Sequence, residues 1–385
     1  YETDCKQKTV NLNSICENYF HRKEIKSMKI KAYILALSAM ALVSEISLKP
    51  CMAEDEMQGD FYANQYLDQY TYENMQDDIE KLQEKYGAYI QISSLGQSAD
   101  GRELYDLVIG DTNAEKKIFI NAGIHAREYI TCQLVMKQAE AFLEHIANND
   151  NYEQLSDLQN TDEKSCNEVP YKEMWENCQI HVMPMVNPDG VAISQKGLSG
   201  LQTEEMRTKV TGIATLDGQE AQGDYLINWK SNGCGIDLNR NFDALWDSYA
   251  DPVGHPSSSH YKGPYPGSEK ETEAMITLTE EQNFARTVSY HAQGNVIYWY
   301  FGQEGQLYED TKAFGERISA LTGYVMDADY QSLDPAGYKD WAISQKEIPS
   351  LTIEVGRDTV PVPAEQFDEI WNANKNVWEE CVCAN

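Results

Sequence analysis

Short apolar runs, each typical of a buried strand, alternate along this chain with segments whose apolar residues recur at helical spacing. The strand-like runs are residues 89–92, 104–109, 118–124, 180–186, 287–290, 296–300 and 350–355. Helical spacing marks residues 70–86 and 129–146, and further helices are expected between the later strands. Strands that alternate with helices predict an α/β sheet that is covered on both faces and forms one domain.

The composition limits the partners of the chain. At 385 residues it can bury a large core, and 42% of its residues are hydrophobic. Its net charge of −31 argues against a nucleic-acid surface, because phosphate binding needs clustered Lys and Arg. The same charge argues against adsorption to anionic lipids. We therefore expect a protein that binds no nucleic acid. A monomer is also expected.

The N-terminal region has the layout of a secretory signal. Met28 opens a short basic stretch, residues 32–43 are mostly apolar, and small residues lead to Ala53. The apolar stretch is shorter than the ~20 residues that a bilayer span requires. We expect a secreted or envelope-associated protein with no stable membrane span after maturation. The predicted parts are an upstream segment absent from the mature protein (1–27), a signal peptide (28–53), a short linker (54–69) and the folded domain (70–385).

The cysteines fit the same compartment. Nine are present, at positions 5, 16, 51, 132, 166, 178, 234, 381 and 383. Six remain after the predicted signal, and an even number in an exported protein predicts disulfide bonds. Their pairing stays open, since six cysteines allow 15 connectivities. Because no two of them have C-x-x-C spacing, a thiolate zinc site is not expected.

His125 and Glu128 follow directly on the strand-like run 118–124. An imidazole nitrogen and a carboxylate oxygen suit zinc, and a catalytic zinc takes three protein ligands with one position open. The H-x-x-E spacing alone is weak evidence, because many chains of this length contain it by chance. The pair therefore raises two questions, which residue is the third ligand and which is the base.

Further polar side chains fall at or beside predicted strand ends. The run 287–290 ends at His291, and the run that begins at residue 350 delivers Glu354. Residues 237–243 form a polar string with one arginine and two amides. Because ligands of α/β sheets bind beyond the carboxyl ends of the strands, these side chains are expected to face one crevice. The other histidines, at 21, 145, 181, 255 and 260, are interpreted as surface or structural.

Taken in order, these segments resemble the zinc metallocarboxypeptidases, the family with the carboxypeptidase A-like fold. The matching strings are residues 123–128, 187–190, 237–241, 289–291 and 352–356, with support from 96–102 and 267–272. The resemblance extends from about residue 70 to the C-terminus. It implies a three-layer α/β/α single domain with a mixed, mostly parallel twisted sheet, one Zn²⁺ per chain, and peptide hydrolysis by metal-activated water.

The resemblance also implies roles for the residues at the strand ends. It makes His125, Glu128 and His291 the zinc ligands, with water in the fourth position. Glu354 would be the general base that deprotonates this water and then returns the proton to the leaving amine. Asp237 would orient the imidazole of His125.

Substrate contacts follow from the same resemblance. Arg127 would hold the substrate carbonyl or carboxylate, and Asn239 with Arg240 would bind the terminal carboxylate. The chain departs from the animal digestive enzymes at Lys230, where those enzymes carry an arginine that stabilises the oxyanion. Lys230 is assigned that role here. For the mobile tyrosine that closes over substrate, Tyr330 is the better match and Tyr338 stays open.

Lys339 occupies the position that lies in the specificity pocket of the family. A buried ammonium there would favour a negatively charged substrate group. The alternative is a solvated lysine on a loop. Residues 70–75, 187–191, 229–232, 297–299 and 337–341 are similar to the bacterial branch of the family, which contains γ-D-glutamyl-diaminopimelate peptidases that trim cell-wall stem peptides.

The leading hypothesis is therefore an exported zinc carboxypeptidase that acts on peptides or muropeptides derived from the cell wall. A general exo-carboxypeptidase with a preference for acidic C-terminal residues is the alternative. The third hypothesis is a non-catalytic peptide-binding protein on a peptidase fold. It is disfavoured because the three ligands and the base are all present.

Overall fold

The core of the fold is an eight-stranded mixed sheet with the strand order β1-β2-β6-β3-β7-β10-β8-β9. The computed structural model describes residues 60–152, 168–327 and 334–383. The strands are β1 (Ile90–Gln97), β2 (Glu103–Ile109), β3 (Lys116–Ala122), β4 (Asn151–Tyr152), β5 (Val169–Pro170), β6 (Cys178–Met183), β7 (Arg286–His291), β8 (Val296–Tyr298), β9 (Val325–Met326) and β10 (Ser350–Glu354). Strands β4 and β5 form a separate small sheet.

The parallel strands lie at the centre of the sheet. β6, β3, β7 and β10 run parallel to one another, whereas β1, β2 and β8 join in antiparallel pairs. Every residue of β6 and β7 is buried, as expected for strands that are covered on both faces. The predicted mixed, mostly parallel α/β sheet is confirmed.

Helices cover both faces of the sheet. The helices of the described residues are α1 (Tyr72–Tyr86), α2 (Ile130–Asn148), α3 (Tyr171–Asn177), α4 (Pro188–Lys196), α5 (Glu204–Leu216), α6 (Asp224–Ile227), α7 (Lys270–Gln282), α8 (Gly305–Thr322), α9 (Tyr338–Lys346), α10 (Phe367–Asn374) and α11 (Val377–Cys383). Ile118 and Ile120 of β3 pack in a cluster with α1 and α2, whereas Phe119 packs on the other side with α7 and α9. This alternation gives the three layers.

Strand β3 ends two residues earlier than the apolar run predicts. The run extends to Ile124, but Gly123 has a φ of 65°, which takes the chain out of the extended conformation. A Cβ at Gly123 would lie 2.4 Å from the Sγ of Cys132, so a side chain there would collide with helix α2. The turn brings the following residues over the end of the sheet.

The disulfide prediction is wrong for the four cysteines Cys132, Cys178, Cys234 and Cys381, which carry free thiols. Cys132, Cys178 and Cys381 are buried in the main core. Burial raises the pKa of the Cys178 and Cys381 thiols to about 12. These side chains therefore act as small apolar groups. Cys166 and the three N-terminal cysteines lie outside the described residues.

The predicted upstream segment, the signal peptide and the linker up to residue 59 also lie outside the described residues. In the part of the chain that the structure describes, no helix has the length and apolar character needed to cross a membrane.

Candidate metal centre

Three strand ends meet at the carboxyl edge of the parallel sheet. His125 and Glu128 lie in the turn after β3, His291 is the last residue of β7, and Glu354 is the last residue of β10. Glu354 stands directly opposite His291 in the parallel register of β10 and β7. The sheet therefore places all four side chains in one region, as the strand-end argument predicts.

Two histidines and one glutamate converge on a common point. The Nδ1 of His125 lies 2.8 Å from Oε1 of Glu128 and 3.2 Å from Nδ1 of His291. Oε2 of Glu128 lies 3.1 Å from Nδ1 of His291. One ligand atom from each residue falls within 4.8 Å of the others, and all three residues are buried. Among the described residues this is the one cluster of potential metal ligands.

The donor set fits zinc. Two imidazole nitrogens and a carboxylate oxygen make up the three protein ligands of a catalytic zinc site, with one position left for water. Burial acts to raise the pKa of Glu128, but the charges and hydrogen bonds of His125 and His291 outweigh it and lower this pKa. The carboxylate thus stays ionised and can bind a cation.

Asp237 connects the metal centre to a lysine. Its Oδ1 lies 3.2 Å from Nε2 of His125, and its Oδ2 accepts a hydrogen bond of 2.9 Å from Nζ of Lys230. Burial acts to raise the pKa of Asp237, but Lys230 and His125 outweigh it and hold this pKa well below the usual range. An ionised Asp237 favours the proton on Nε2 of His125, which leaves Nδ1 free to bind the metal.

The chain around Asp237 is held in a short 3₁₀ turn, Leu238–Arg240. The Asp237 carboxylate also accepts the backbone N–H of Asn239 at 3.2 Å and that of His260 at 3.3 Å. Because this turn begins at Asp237, the orienting carboxylate and the two residues predicted to bind substrate carboxylate are positioned together. His260 thus lies beside the metal centre. Its backbone contact with Asp237 agrees with the interpretation of His260 as a structural residue.

Glu354 is the buried carboxyl group that the sequence predicts as the general base. Burial and the charge of Glu128 raise the pKa of its carboxyl, against the opposing charges of His291 and Lys230. Within the described residues its buried Oε2 has no hydrogen-bond partner. A carboxylate with an unpartnered oxygen and a raised pKa is suited to take a proton from water.

A cleft with a volume of about 440 Å³ opens over the metal centre. It is lined by the three metal ligands, by Glu354 and Lys230, and by the residues predicted to bind substrate, namely Arg127, Asn239, Arg240 and Lys339. Tyr298, Tyr300, Phe301, Asp327, Asp334, Asp340 and Thr352 also line it. The structure therefore brings the predicted metal ligands, the predicted base and the predicted cations into one cleft.

The two tyrosines that the sequence left open have different outcomes. Tyr338 is fully buried, and its hydroxyl lies 2.9 Å from Oγ1 of Thr279 in the core between α9 and α7. It cannot close over a substrate without leaving that core. Tyr330 lies outside the described residues, and its role stays a prediction.

Lys339 lines the cleft, so the pocket interpretation is supported over the solvated one. Its side chain is 11% exposed. Its Nζ donates to the Tyr300 carbonyl at 3.1 Å and to Oδ1 of Asp340 at 2.5 Å. The lysine charge is thus paired with a neighbouring carboxylate rather than with solvent.

Several residues that line the cleft were not predicted from the sequence. Tyr298 and Tyr300 alternate along the predicted strand 296–300, and Tyr298 faces Thr352 across the β8–β10 pair. That alternation was a usable signal, since one face of a strand at the sheet edge must face the crevice. No sequence pattern indicated that Asp334 belongs to the cleft, because its ion pair with Arg240 joins segments that are far apart in the chain.

A buried His–Glu–His set beside the Glu354 carboxyl group and a cleft lined by cations is typical of a zinc-dependent peptidase. A sequence model of zinc carboxypeptidases matches residues 75–377, and the chain belongs to this family. One relative is the γ-D-glutamyl-L-diamino acid endopeptidase 1 of Lysinibacillus sphaericus. It is 31% identical over 303 residues, which cover 78% of this chain and 69% of the relative.

The animal protein and the two solved structures described next have lower sequence identity to this chain. Carboxypeptidase B of Rattus norvegicus is 27% identical over 285 residues, which cover 69% of this chain and 58% of that protein. Thrombin-activatable fibrinolysis inhibitor has a similar structure, with a TM-score of 0.60 and 19% identity over 82% of this chain and 73% of that one. The carboxypeptidase A of Helicoverpa armigera gives a TM-score of 0.58 with 17% identity over 97% of this chain and 87% of that one. These structural similarities support the fold.

Proposed function

We propose that this zinc peptidase hydrolyses the bond between the γ-carbonyl of D-glutamate and a diamino acid in cell-wall stem peptides. The observation that carries the proposal is the set of four cations, Arg127, Lys230, Arg240 and Lys339, in one cleft. Stem peptides with a γ-linked glutamate carry a free carboxylate on each side of the bond to be cut. The relative named for γ-D-glutamyl-L-diamino acid peptides supports the same assignment.

His125, Glu128 and His291 would hold the zinc ion through the atoms that already converge. Zinc bound at such a site lowers the pKa of a water molecule toward neutrality and polarises a carbonyl oxygen. Glu354 would accept a proton from water at its unpartnered oxygen and would deliver it to the leaving amine of the diamino acid.

Lys230 supplies positive charge where the carbonyl oxygen becomes negative. Its ammonium is buried and is held 2.9 Å from Asp237, which also lies beside His125. An ammonium kept in place before the reaction stabilises an oxyanion without first losing a water shell. Asp237 weakens the attraction of Lys230 for the oxyanion, so a zinc ion held by the three ligands would supply part of this stabilisation.

Asn239 and Arg240 are oriented to bind the carboxylate of the diamino acid. The amide oxygen of Asn239 accepts the backbone N–H of Tyr338 at 3.0 Å, so its amino group is the end left for substrate. Arg240 is buried under the cleft, donates Nη1 to the carbonyl of Asn239 at 2.8 Å and pairs with the carboxylate of Asp334. The Asp334 side chain is 70% exposed, and a substrate carboxylate would replace it on the guanidinium.

Arg127 is assigned to the free α-carboxylate of D-glutamate, on the other side of the bond. Its Nη1 donates to the carbonyl of Asn228 at 3.2 Å, which fixes one end of the guanidinium. The buried Nε of Arg127 has no partner among the described residues. An α-linked peptide offers no carboxylate at this point, so Arg127 would favour the γ-linkage.

The alternative function is a general exo-carboxypeptidase for protein-derived peptides with acidic C-terminal residues. It needs Arg240 and Lys339 but gives Arg127 no carboxylate to bind. Incubation of the zinc-loaded protein with L-alanyl-γ-D-glutamyl-meso-diaminopimelate and with an α-linked peptide ending in glutamate distinguishes the two. The proposal expects free diaminopimelate by mass spectrometry and little cleavage of the α-linked peptide. The opposite pattern supports the alternative, and chelator-treated protein is the control.

We also propose that the chain is exported through residues 28–53. The basic start at Met28 and the apolar stretch that follows support this proposal. Expression of the full chain in a bacterial host, followed by N-terminal sequencing of the product outside the cytoplasm, tests it. A mature product that begins near Glu54 is expected, and retention of an uncleaved chain in the cytoplasm would count against export.

A further inference from the structure

The Arg240 guanidinium is already paired with a carboxylate of this chain. Its Nη2 contacts Oδ2 of Asp334, and both residues line the cleft over the metal centre. The Arg240 side chain is 9% exposed, whereas the Asp334 side chain is 70% exposed. An ion pair with a well-solvated partner opens at little cost, because the exposed carboxylate turns into water.

Two contacts hold the guanidinium in place independently of Asp334. Nη1 of Arg240 donates to the carbonyl of Asn239 at 2.8 Å, and Cζ of Arg240 lies 5.2 Å from the centre of the Tyr249 ring. A guanidinium over an aromatic face is attracted by the electrons of the ring. Arg240 therefore keeps its position when the Asp334 carboxylate leaves it.

The backbone keeps Asp334 close to Arg240 even when the two side chains are apart. The N–H of Ala336 donates to the carbonyl of Ala244 at 2.9 Å, and the N–H of Phe242 donates to the carbonyl of Ala336 at 3.1 Å. These two bonds tie the chain just after Asp334 to the chain just after Arg240. A carboxylate tethered in this way has a high local concentration and returns to the guanidinium whenever another ligand leaves it.

We propose that Asp334 is an internal competitor that lowers the affinity of the cleft for carboxylates, those of substrate and of product alike. The proposal rests on the function above only in assigning Arg240 to a substrate carboxylate, so it holds for either linkage. A substrate carboxylate that forms two parallel bonds to the guanidinium displaces the contact that Asp334 makes through Nη2.

After hydrolysis Asp334 re-forms its contact with Arg240, and this favours departure of the amino acid product. The apparent Kd of each carboxylate ligand equals its intrinsic Kd divided by the fraction of enzyme in which Arg240 is free of Asp334. Substrate and product are therefore weakened by the same factor.

Asp334→Asn tests the competition, because it removes the charge and keeps the size of the side chain. Kinetics are measured for the zinc-loaded enzyme with L-alanyl-γ-D-glutamyl-L-lysine as substrate and with L-lysine as an added product inhibitor. We expect kcat/KM to rise and the inhibition constant of L-lysine to fall, both by about threefold to tenfold. The two factors should agree, since substrate and product compete with the same carboxylate.

The same peptide with a C-terminal carboxamide is the control substrate. It brings no carboxylate to Arg240, so its kcat/KM should stay within about twofold in Asp334→Asn. Asp358→Asn is the matched control variant, because Asp358 is also an exposed partner of an arginine, Arg357, but lies outside the cleft lining. It should change neither constant, and zinc content is measured in every variant to check folding.

An unchanged or lower kcat/KM for the carboxylate peptide in Asp334→Asn contradicts the proposal, since Asp334 then does not compete or itself holds the substrate. An equal rise for the carboxylate and the carboxamide peptide also contradicts it, because a general effect of charge would then be sufficient. Cleavage of α-linked peptides alone overturns the γ-D-glutamyl function and not the competition. The two kinetic constants are then compared for an α-linked peptide and its carboxamide.

Discussion

Glu271 is a buried acid whose ionisation opposes folding, and replacing it gives a measurable dependence of stability on pH. The side chain is fully buried at the start of α7. Its Oε2 lies 3.4 Å from Nδ2 of Asn232, and its Oε1 has no partner among the described residues. Burial, followed by the charge of Asp189, raises the pKa of Glu271 from 4.5 to about 8.

The direction in which stability changes with pH follows from the raised pKa of Glu271. An acid whose pKa is higher in the folded state holds its proton more tightly there than in the unfolded chain. Its stability contribution is complete below pH 4.5 and is lost as the pH rises toward 8. The difference of about three and a half pKa units corresponds to at most about 5 kcal/mol of unfolding free energy, or about 1.4 kcal/mol per pH unit.

Glu271→Gln removes the ionisation and keeps the shape of the neutral acid. The unfolding free energy of the variant relative to the unchanged protein should therefore rise with pH between about 5 and 8. Denaturant unfolding of both zinc-loaded proteins at four pH values in this interval measures the difference. A difference that stays constant across the interval would refute the reasoning, because a neutral packing effect does not depend on pH.

Glu271 also contributes to the architecture around the metal centre. Asn232 accepts the backbone N–H groups of Cys234 and Ile236 on its Oδ1, at 3.0 and 3.1 Å. Its Nδ2 donates to Glu269 at 2.7 Å and approaches Glu271. The two acids thus support the loop that carries Lys230 and Asp237 to the metal centre. This contact explains why residues 267–272 accompany the metal-binding strings in the sequence.

Three further predictions concern the centre itself. Glu354→Gln should keep one zinc per chain, measured by metal analysis, while kcat falls by about 10²–10⁴-fold, and unchanged turnover would remove Glu354 from the role of base. Asp237→Asn should weaken zinc binding by about 10–100-fold in competition with a chelator, and an unaltered affinity would show that Asp237 does not orient His125. Removal of zinc should abolish activity and lower the melting temperature, with both restored by added Zn²⁺, since a ligand at 100 times its Kd stabilises by about 2.7 kcal/mol. Activity that persists in the zinc-free protein would contradict a metal-dependent mechanism.

The sequence predicted the metal centre well because its residues sit at the ends of apolar strands. Local patterning identifies such strands, and the carboxyl ends of parallel strands share one edge of the sheet. His125, His291 and Glu354 could therefore be placed together without knowledge of the loops. The same patterning overextended β3, because the left-handed turn at Gly123 depends on its contact with Cys132 across the fold.

The residues that depend on packing between distant segments were harder to predict. Tyr338 and Lys339 are neighbours, yet one is fully buried in the core and the other lines the cleft. Which side of α9 faces the cleft is decided by how the helix packs against the sheet, and a single sequence does not contain that information. The disulfide prediction was wrong for a related reason. An even number of cysteines does not reveal that Cys132, Cys178 and Cys381 are buried in the main core.

The shared use of the Asp237 carboxylate has a consequence for how substitutions combine. One of its oxygens serves a metal ligand, and the other serves the lysine assigned to the oxyanion. Removing the charge of Lys230 would leave more of the negative charge of Asp237 for His125 and so would alter zinc affinity as well as turnover. Effects of changes at Lys230 and His125 are therefore not additive, and a double-mutant cycle across the pair should give a coupling energy different from zero. With the role proposed for Lys230, metal affinity and transition-state stabilisation would be parts of one electrostatic unit.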